Sequence, residues 1–274
     1  MSAHVAAWIE YVLGTLPLAC AAYIAVSSGQ LMAFMGIFVL TGALVGAGMP
    51  WGVAVLVAGP TGFVLGWASA LPMQRLRGLD YALVGVCLAE IARLFFASSA
   101  LAMRGLGYQS PDPLRMSERS LTLAVSVVSL VVVHRYSVSA LSRSLSLSHR
   151  SEASAEGSGI HTGRLRTIAA GLAGMLAALG GVLHLRKVGI VEPSVLGFEF
   201  GILALAPVFV GGTRHWGATV VAAIFLAAVT RGLQLPNDWR GVAIGGVVVA
   251  ATVVRRLVRR RGDYARTVPK RDEW

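Results

Sequence analysis

Residues 167–185 read TIAAGLAGMLAALGGVLHL, a stretch in which only Thr167 and His184 carry a polar side chain. An α-helix needs about 20 apolar residues to cross the hydrocarbon core of a bilayer. The many glycines and alanines are typical of membrane helices, because small residues let two helices approach closely. The stretch therefore predicts a transmembrane helix that packs tightly against its neighbours.

The rest of the chain has the same character. Of its 274 residues, 55% are hydrophobic and 14% are charged, whereas soluble domains have about 25% charged residues. One soluble core could not hide so much apolar surface, and a disordered chain would be poor in apolar residues. The apolar runs are continuous, without the alternation of a membrane β-barrel. The sequence therefore predicts an all-α, polytopic helical membrane protein.

Eight further segments are apolar enough to cross a bilayer, so about 8–9 transmembrane helices are expected. Two or three of them are short, and some could be broken or re-entrant. All belong to one predicted transmembrane domain over residues 1–274. The eight segments are 5–26, 30–48, 51–72, 80–102, 120–136, 198–213, 217–233 and 241–258.

The basic residues predict how the helices are oriented. The net charge is +11, and the basic residues lie between the apolar segments. If the loop around Arg75 is cytoplasmic, alternation of the spans places 16 of the 24 Lys and Arg residues on that side and 7 on the other. This excess follows the positive-inside rule, which explains the charge without nucleic acid. We therefore expect a multi-pass protein of the cell (inner) membrane, with its N-terminus outside, a cytoplasmic polar stretch at 137–166 and a basic cytoplasmic tail at 259–274.

Motifs for catalysis or cofactor binding are missing. A phosphate-binding P-loop needs a lysine after glycine, and the chain has only Lys187 and Lys270, in other surroundings. The metal-binding spacings HExxH and CxxC are also missing. Cys20 and Cys87 lie within apolar segments and are interpreted as small buried side chains. We expect no catalytic residues, no metal and no cofactor, and the chain is not predicted to be an enzyme.

Two charged residues lie inside a predicted span. Glu90 and Arg93 are three residues apart and thus share one helix face. A lone charge in lipid costs about 2.5–3.5 kcal/mol on insertion scales, so an intramembrane ion pair is expected. The pair could be structural, or it could take part in a transport pathway.

The most specific feature of the polar stretch is the segment RSEASAEGSGIH at 150–161. Glu152 and Glu156 are four residues apart and would point the same way on a short helix. Such a charged, alanine-containing segment at the membrane face could dock into a groove of a soluble partner, or it could be a solvated loop helix.

Four stretches, in order, resemble the permease family of branched-chain amino acid ABC importers, and together they cover roughly residues 28–218. Ser28-Gly29-Gln30-Leu31 with Phe38 and Gly42-Ala43 resembles the family's first motif. Arg75 to Ala82 with Glu90 to Arg93 resembles its L-R-x-R-G-x-Y-x-A block and the E-I-x-R that closes it. The third and fourth stretches are Glu152 to Ile160, continuing to Gly180-Gly181, and Val210-Gly211-Gly212 with Trp216-Gly217-Ala218.

The resemblance implies a transmembrane subunit of an ATP-driven importer, without catalysis of its own. Its implied partners are a second homologous permease subunit, two cytoplasmic ATPase subunits and an extracytoplasmic substrate-binding protein. The implied substrates are branched-chain amino acids, then related small amides or urea-like solutes. The segment that couples to the ATPase would contain Glu152, Ala153, Glu156, Gly157, Ser158, Gly159 and Ile160, and the substrate pathway would include Ser28, Gly29, Gln30 and Phe38.

The chain departs from the family pattern at two places. Met32-Ala33-Phe34-Met35 makes the first motif more apolar, and Arg214-His215 stands where the family usually has glycine. One alternative from another class remains, a stand-alone secondary transporter in which Glu90 and Arg93 take part in ion coupling. A membrane-embedded enzyme would need a polar catalytic cluster, which the sequence does not show.

Overall fold

A computed structural model describes most of the helical part of the chain. The described residues are 3–28, 51–75, 106–107, 116–148, 161–188, 190–191, 198–213, 215–232 and 245–250, together with Gly157, Gly159 and single residues between 83 and 94. The statements below concern these residues.

Seven helices are described from end to end, and they confirm the all-α class. A 3-10 turn at Pro72–Arg75 follows the second helix, and two short strands, β1 (Leu106–Gly107) and β2 (Ile190–Val191), form an antiparallel pair. The helices are α1 (Ala3–Ser27), α2 (Trp51–Ala70), α3 (Met116–Val138), α4 (Ala140–Ser148), α5 (Thr162–Val188), α6 (Phe198–Gly211) and α7 (Trp216–Gly232).

Six predicted spans coincide with described helices. Four of these helices are long and apolar enough to cross a membrane, over Trp8–Ser27, Trp51–Ala70, Arg119–Val138 and Thr162–Leu185. The described residues between 83 and 94, and residues 245–250, are helical within two further predicted spans. The span predicted at 30–48 lies outside the described residues, so the total of 8–9 helices stays a prediction.

The polar stretch predicted at 137–166 contains more helix than expected. Ser139 separates α3 from α4, because its hydroxyl donates to the Tyr136 carbonyl oxygen at 2.6 Å and accepts from the Ser142 N–H at 3.3 Å. A serine in this position satisfies an otherwise unpaired amide at a helix start. Leu145 of α4 is fully buried, which anchors α4 to the bundle. Hydropathy alone missed α4 because it is short and five of its nine residues are serine or arginine.

Helix α1 lies at the centre of the bundle and packs against α3, α5, α6 and α7. Its residues from Ala19 to Ala25 are all buried. It runs parallel to α3, since the Ser126 hydroxyl of α3 donates to the Leu13 carbonyl oxygen at 2.9 Å, and Ser27 Oγ lies 3.2 Å from the Tyr136 hydroxyl further along both helices.

Helices α2 and α5 pack antiparallel through glycine. A β-carbon on Gly62 would lie 2.5 Å from Ala178 Cβ and 2.6 Å from the Gly174 carbonyl oxygen, and one on Gly66 would lie 2.5 Å from the Ala170 carbonyl oxygen. Only residues without a side chain allow backbones to approach this closely. The prediction that residues 167–185 pack tightly is therefore confirmed, with α2 as the partner.

Helices α6 and α7 form a tight hairpin. A β-carbon on Gly211 would lie 2.5 Å from the Ala218 carbonyl oxygen, and the Thr219 hydroxyl donates to the Gly212 carbonyl oxygen at 3.0 Å. Gly212 has φ = 83°, a left-handed conformation that favours glycine.

The helix ends fall into two sets at opposite ends of the bundle. At one end α1, α3 and α6 finish and α7 begins, where Trp216 meets His134 with ring centroids 5.6 Å apart. Gln74, just after α2, also contacts Gly163 in the first turn of α5. At the other end Arg119 Nε lies 2.8 Å from Glu10 Oε1. These directions agree with the predicted alternation, in which α1, α2 and α3 are parallel.

Large apolar side chains are exposed on the outside of the bundle, as expected for helices that contact lipid. Leu56 of α2 and Val221 of α7 are 74% and 66% exposed, as lipid-facing side chains should be. The interpretation of both cysteines as buried is only half right. Cys20 is buried, but Cys87 is exposed, because it shares its helix face with the exposed Leu83, Val84, Ile91 and Leu94.

Candidate functional site: a polar cleft at one end of the bundle

A cleft of about 910 Å³ opens where α1 and α3 end. We call it the polar cleft. Its walls come from α1, α3, α4 and the connection between α6 and α7. Its lining residues are Tyr23, Val26, Ser27, Ser137, Ser142, Arg143, Ser146, Thr213, His215 and Trp216.

The inner wall is a hydrogen-bonded contact between α1 and α3. Ser27 Oγ lies 2.9 Å from the Ile24 carbonyl oxygen and 3.2 Å from the hydroxyl of the buried Tyr136. The Ser27 hydroxyl has one proton, so when it is donated to Ile24 the Tyr136 hydroxyl can donate in turn to Ser27. This contact holds the two helix ends together at the bottom of the cleft.

Helix α4 supplies the cationic wall. The Arg143 guanidinium donates to the Val138 carbonyl oxygen at 2.9 Å, which places the charge at the end of α3. The Ser146 hydroxyl, one helical turn later, donates to the Arg143 carbonyl oxygen at 2.7 Å. Both side chains are exposed and thus accessible from the cleft.

The hairpin connection of α6 and α7 forms the third wall. Thr213 and His215 are exposed, and the Trp216 indole stacks edge-on against the exposed His134 imidazole. The tight turn at Gly212 brings Thr213, His215 and Trp216 to the cleft. His134 and His215 are both exposed at this end of the bundle.

The lining suits recognition of a polar or anionic group. It combines hydroxyls and two aromatic rings with Arg143 and His215, and none of its described members is a carboxylate. Within the described ranges no group of three His, Cys, Asp or Glu residues could hold a metal ion.

Of the residues predicted for the substrate pathway, only Ser28 is described. It is fully buried directly after the cleft residue Ser27, and its hydroxyl donates to the Ala25 carbonyl oxygen at 2.8 Å. Gly29, Gln30 and Phe38 lie outside the described residues, so their role stays a prediction. The same holds for the ion pair, since Glu90 is half-buried on a helix and Arg93 is not described.

The predicted coupling segment begins just after α4 and ends before α5. Gly157 is helical and exposed, and Gly159 is exposed in a turn with φ = 75°. Glu152, Ala153, Glu156, Ser158 and Ile160 lie outside the described residues. Since α4 borders the polar cleft, the chain enters this segment beside it.

The polar cleft itself was missed from the sequence. Hydropathy predicts which residues cross the membrane, but it does not predict which helix ends meet. The available signal was the serine-rich run SVSALSRSLSLS at 137–148, which predicts a polar helix face at the membrane surface.

Comparison with known proteins places the chain in a family. The family model described as branched-chain amino acid transport system / permease component matches residues 1–252. The chain belongs to this permease family. The match confirms the resemblance seen in the four sequence stretches, and with the apolar helices it establishes a multi-pass membrane protein.

Three curated members of transport systems are similar to this permease-family chain. The high-affinity branched-chain amino acid transport system permease protein LivM of Escherichia coli K12 is 24% identical over 236 residues, which cover 74% of this chain and 55% of LivM. LivM of Salmonella typhimurium LT2 is also 24% identical, over 74% of this chain and 54% of its own length. The D-allose transport system permease protein AlsC of E. coli K12 is 28% identical over 96 residues, 32% of this chain and 29% of AlsC.

The chain spans from about a third to about half of the length of these relatives. No solved structure shows significant similarity to it.

Proposed function

We propose that the chain is the permease subunit of an ATP-driven ABC importer for branched-chain amino acids or related small amides. The observation that carries this proposal is the family match over residues 1–252. The two LivM proteins, which align with 74% of the chain, support the amino-acid substrate. Because a shorter part of the chain is similar to a D-allose permease, a sugar is the competing substrate that the experiment must include.

The proposed importer contains a second homologous permease subunit, two cytoplasmic ATPase subunits and an extracytoplasmic substrate-binding protein. The end of the bundle that carries the polar cleft faces the cytoplasm, with the N-terminus outside and the tail at 259–274 inside. The excess of basic residues at this end supports the orientation.

Coupling to the ATPase runs through residues 152–160. This segment follows α4, and α4 contacts α1, α3 and α5. A push on the segment would therefore reach the centre of the bundle through Leu145, which is fully buried. The domain is a single transmembrane unit, and the Glu90–Arg93 pair stabilises it within the membrane.

Transport by the reconstituted complex tests the proposal. We expect leucine uptake into vesicles that contain the chain, its partner permease and both ATPases, only with ATP and binding protein present. The double variant Glu152→Arg/Glu156→Arg should reduce co-purification of the ATPase at least tenfold and abolish uptake, because charge reversal removes both proposed docking carboxylates.

The matched control is Glu118→Arg, a charge reversal in the first turn of α3 at the opposite end of the bundle. It should leave co-purification of the ATPase unchanged. Normal ATPase binding by the double variant would contradict the coupling assignment. Uptake driven by an ion gradient without any ATPase would favour the secondary-transporter alternative, and uptake of D-allose instead of leucine would overturn the amino-acid substrate.

A further inference from the structure

The polar cleft has the properties of a headgroup site. We propose that it binds an anionic glycerophospholipid, with the lipid phosphate beside Arg143 and the glycerol part against Tyr23 and Trp216. This binding does not depend on the transport function.

Charge is the first argument. Among the residues that the structure describes, the lining includes the cationic Arg143 and contains no Asp or Glu, and His215 adds a polar ring. One Arg143 amino group donates to the Val138 carbonyl oxygen, but a guanidinium has five N–H donors in all. The remaining donors can bind a phosphate oxygen in the charge-assisted geometry that arginine favours.

Helix termini of both kinds border the cleft. The N-termini of α4 and α7 carry partial positive charge, and the C-termini of α1, α3 and α6 carry partial negative charge. Protein groups already bind at both kinds of terminus: Ser139 Oγ accepts from the Ser142 N–H, and Ser28 and Arg143 donate to the carbonyl oxygens of Ala25 and Val138. The full charge of Arg143 therefore dominates the electrostatics of the described lining.

Depth in the membrane is the second argument. The cleft lies where the apolar spans Trp8–Ser27 and Arg119–Val138 end, which is the level of the lipid headgroups. Tyr23 and Trp216 in its lining are the residue types that prefer this level. Basic pockets between transmembrane helices are known to hold lipid headgroups. A volume of about 910 Å³ also exceeds what a phosphate ion alone would fill, which favours a whole headgroup.

Lipid titration of the purified full-length chain in detergent tests the proposal, with bound lipid counted by native mass spectrometry. Phosphatidylglycerol should bind in preference to phosphatidylcholine of the same chain length. Arg143→Gln should weaken phosphatidylglycerol binding about fivefold, because one basic side chain near the membrane surface contributes about 1 kcal/mol.

Arg135→Gln is the matched control, since Arg135 is an exposed arginine near the end of α3 that does not line the cleft. It should leave the preference unchanged. A second variant, Ser142→Ala/Ser146→Ala, keeps Arg143 and its bond to Val138, and it should also weaken binding, by two- to threefold.

Equal binding of the two lipids, or an equal effect of the two arginine variants, would overturn the proposal. If inorganic phosphate, at the same concentration as the lipid, displaced phosphatidylglycerol, the cleft would be a site for free phosphate. That result would overturn the proposal that the ligand is a lipid.

Discussion

At Gly62 the backbone of α2 lies so close to α5 that no larger residue fits without movement. A β-carbon there would meet both Ala178 Cβ and the backbone of Gly174 within 2.6 Å. The spacing Gly62-x-x-x-Gly66 faces Ala170-x-x-x-Gly174-x-x-x-Ala178, two small-residue patterns in antiparallel register. The sequence predicted that residues 167–185 pack closely because the glycines are visible in it. It could not predict the partner, since several other spans are also rich in glycine.

Replacing Gly62 with alanine should destabilise the protein by about 1–3 kcal/mol, because overpacking forces the two backbones apart. Thermal unfolding of the purified protein measures this loss. Gly52→Ala is the control on the same helix, because a β-carbon there has nothing within 4 Å. An equal effect of the two variants would mean that α2 and α5 are not in this register.

Two buried serines of α3 allow a hydrogen bond between helices to be compared with one inside a single helix. Ser126 Oγ lies 2.9 Å from the Leu13 carbonyl oxygen of α1 and 2.8 Å from the Thr122 carbonyl oxygen of its own helix, and its single proton is shared between the two. The Ser129 hydroxyl donates to the Val125 carbonyl oxygen within α3, at 2.7 Å. Ser126→Ala should therefore lower the free energy of unfolding more than Ser129→Ala does. The expected difference is about 0.6 kcal/mol, which is the average contribution of a hydrogen bond between membrane helices. Equal losses in thermal or denaturant unfolding would show that the contact with α1 contributes nothing.

At the scale of helices, hydropathy predicted six described helices to within about five residues at either end. The errors have physical causes. Helix α5 begins at Thr162, five residues before the predicted start at 167. Hydropathy missed these residues because Arg164 and Arg166 make the start of the helix polar. Helix α4 was not predicted because it lies outside the apolar spans and is held by Leu145 and by the Ser139 cap.

For the whole molecule, the alternation of spans predicted the relative directions of the six described helices that coincide with predicted spans. It did not predict the polar cleft, which forms only when three distant parts of the chain, at 23–27, 137–146 and 213–216, meet. Residues such as Tyr23 and Trp216 are ordinary members of their helices until the bundle brings them together. The coupling segment and the first family motif stay predictions from the sequence.

Cysteine accessibility tests the orientation of the whole molecule. In a chain without its native cysteines, His161→Cys at the cleft end should react with a membrane-impermeant maleimide only from the cytoplasmic side. His161 is exposed just before α5. Ser120→Cys, exposed near the start of α3 at the opposite end, should react only from outside. The reverse pattern would contradict the predicted orientation, and with it the proposed site of ATPase docking.

The turn between α6 and α7 limits how this protein can change shape. Backbone contact at Gly211 and the bond from Thr219 to Gly212 tie the two helices together at this turn. We therefore expect the turn ends of α6 and α7 to move together in any conformational change. A disulfide across this turn should leave the proposed leucine uptake unchanged, whereas a disulfide between this hairpin and α1 should reduce it, because it would stop the hairpin from moving against α1.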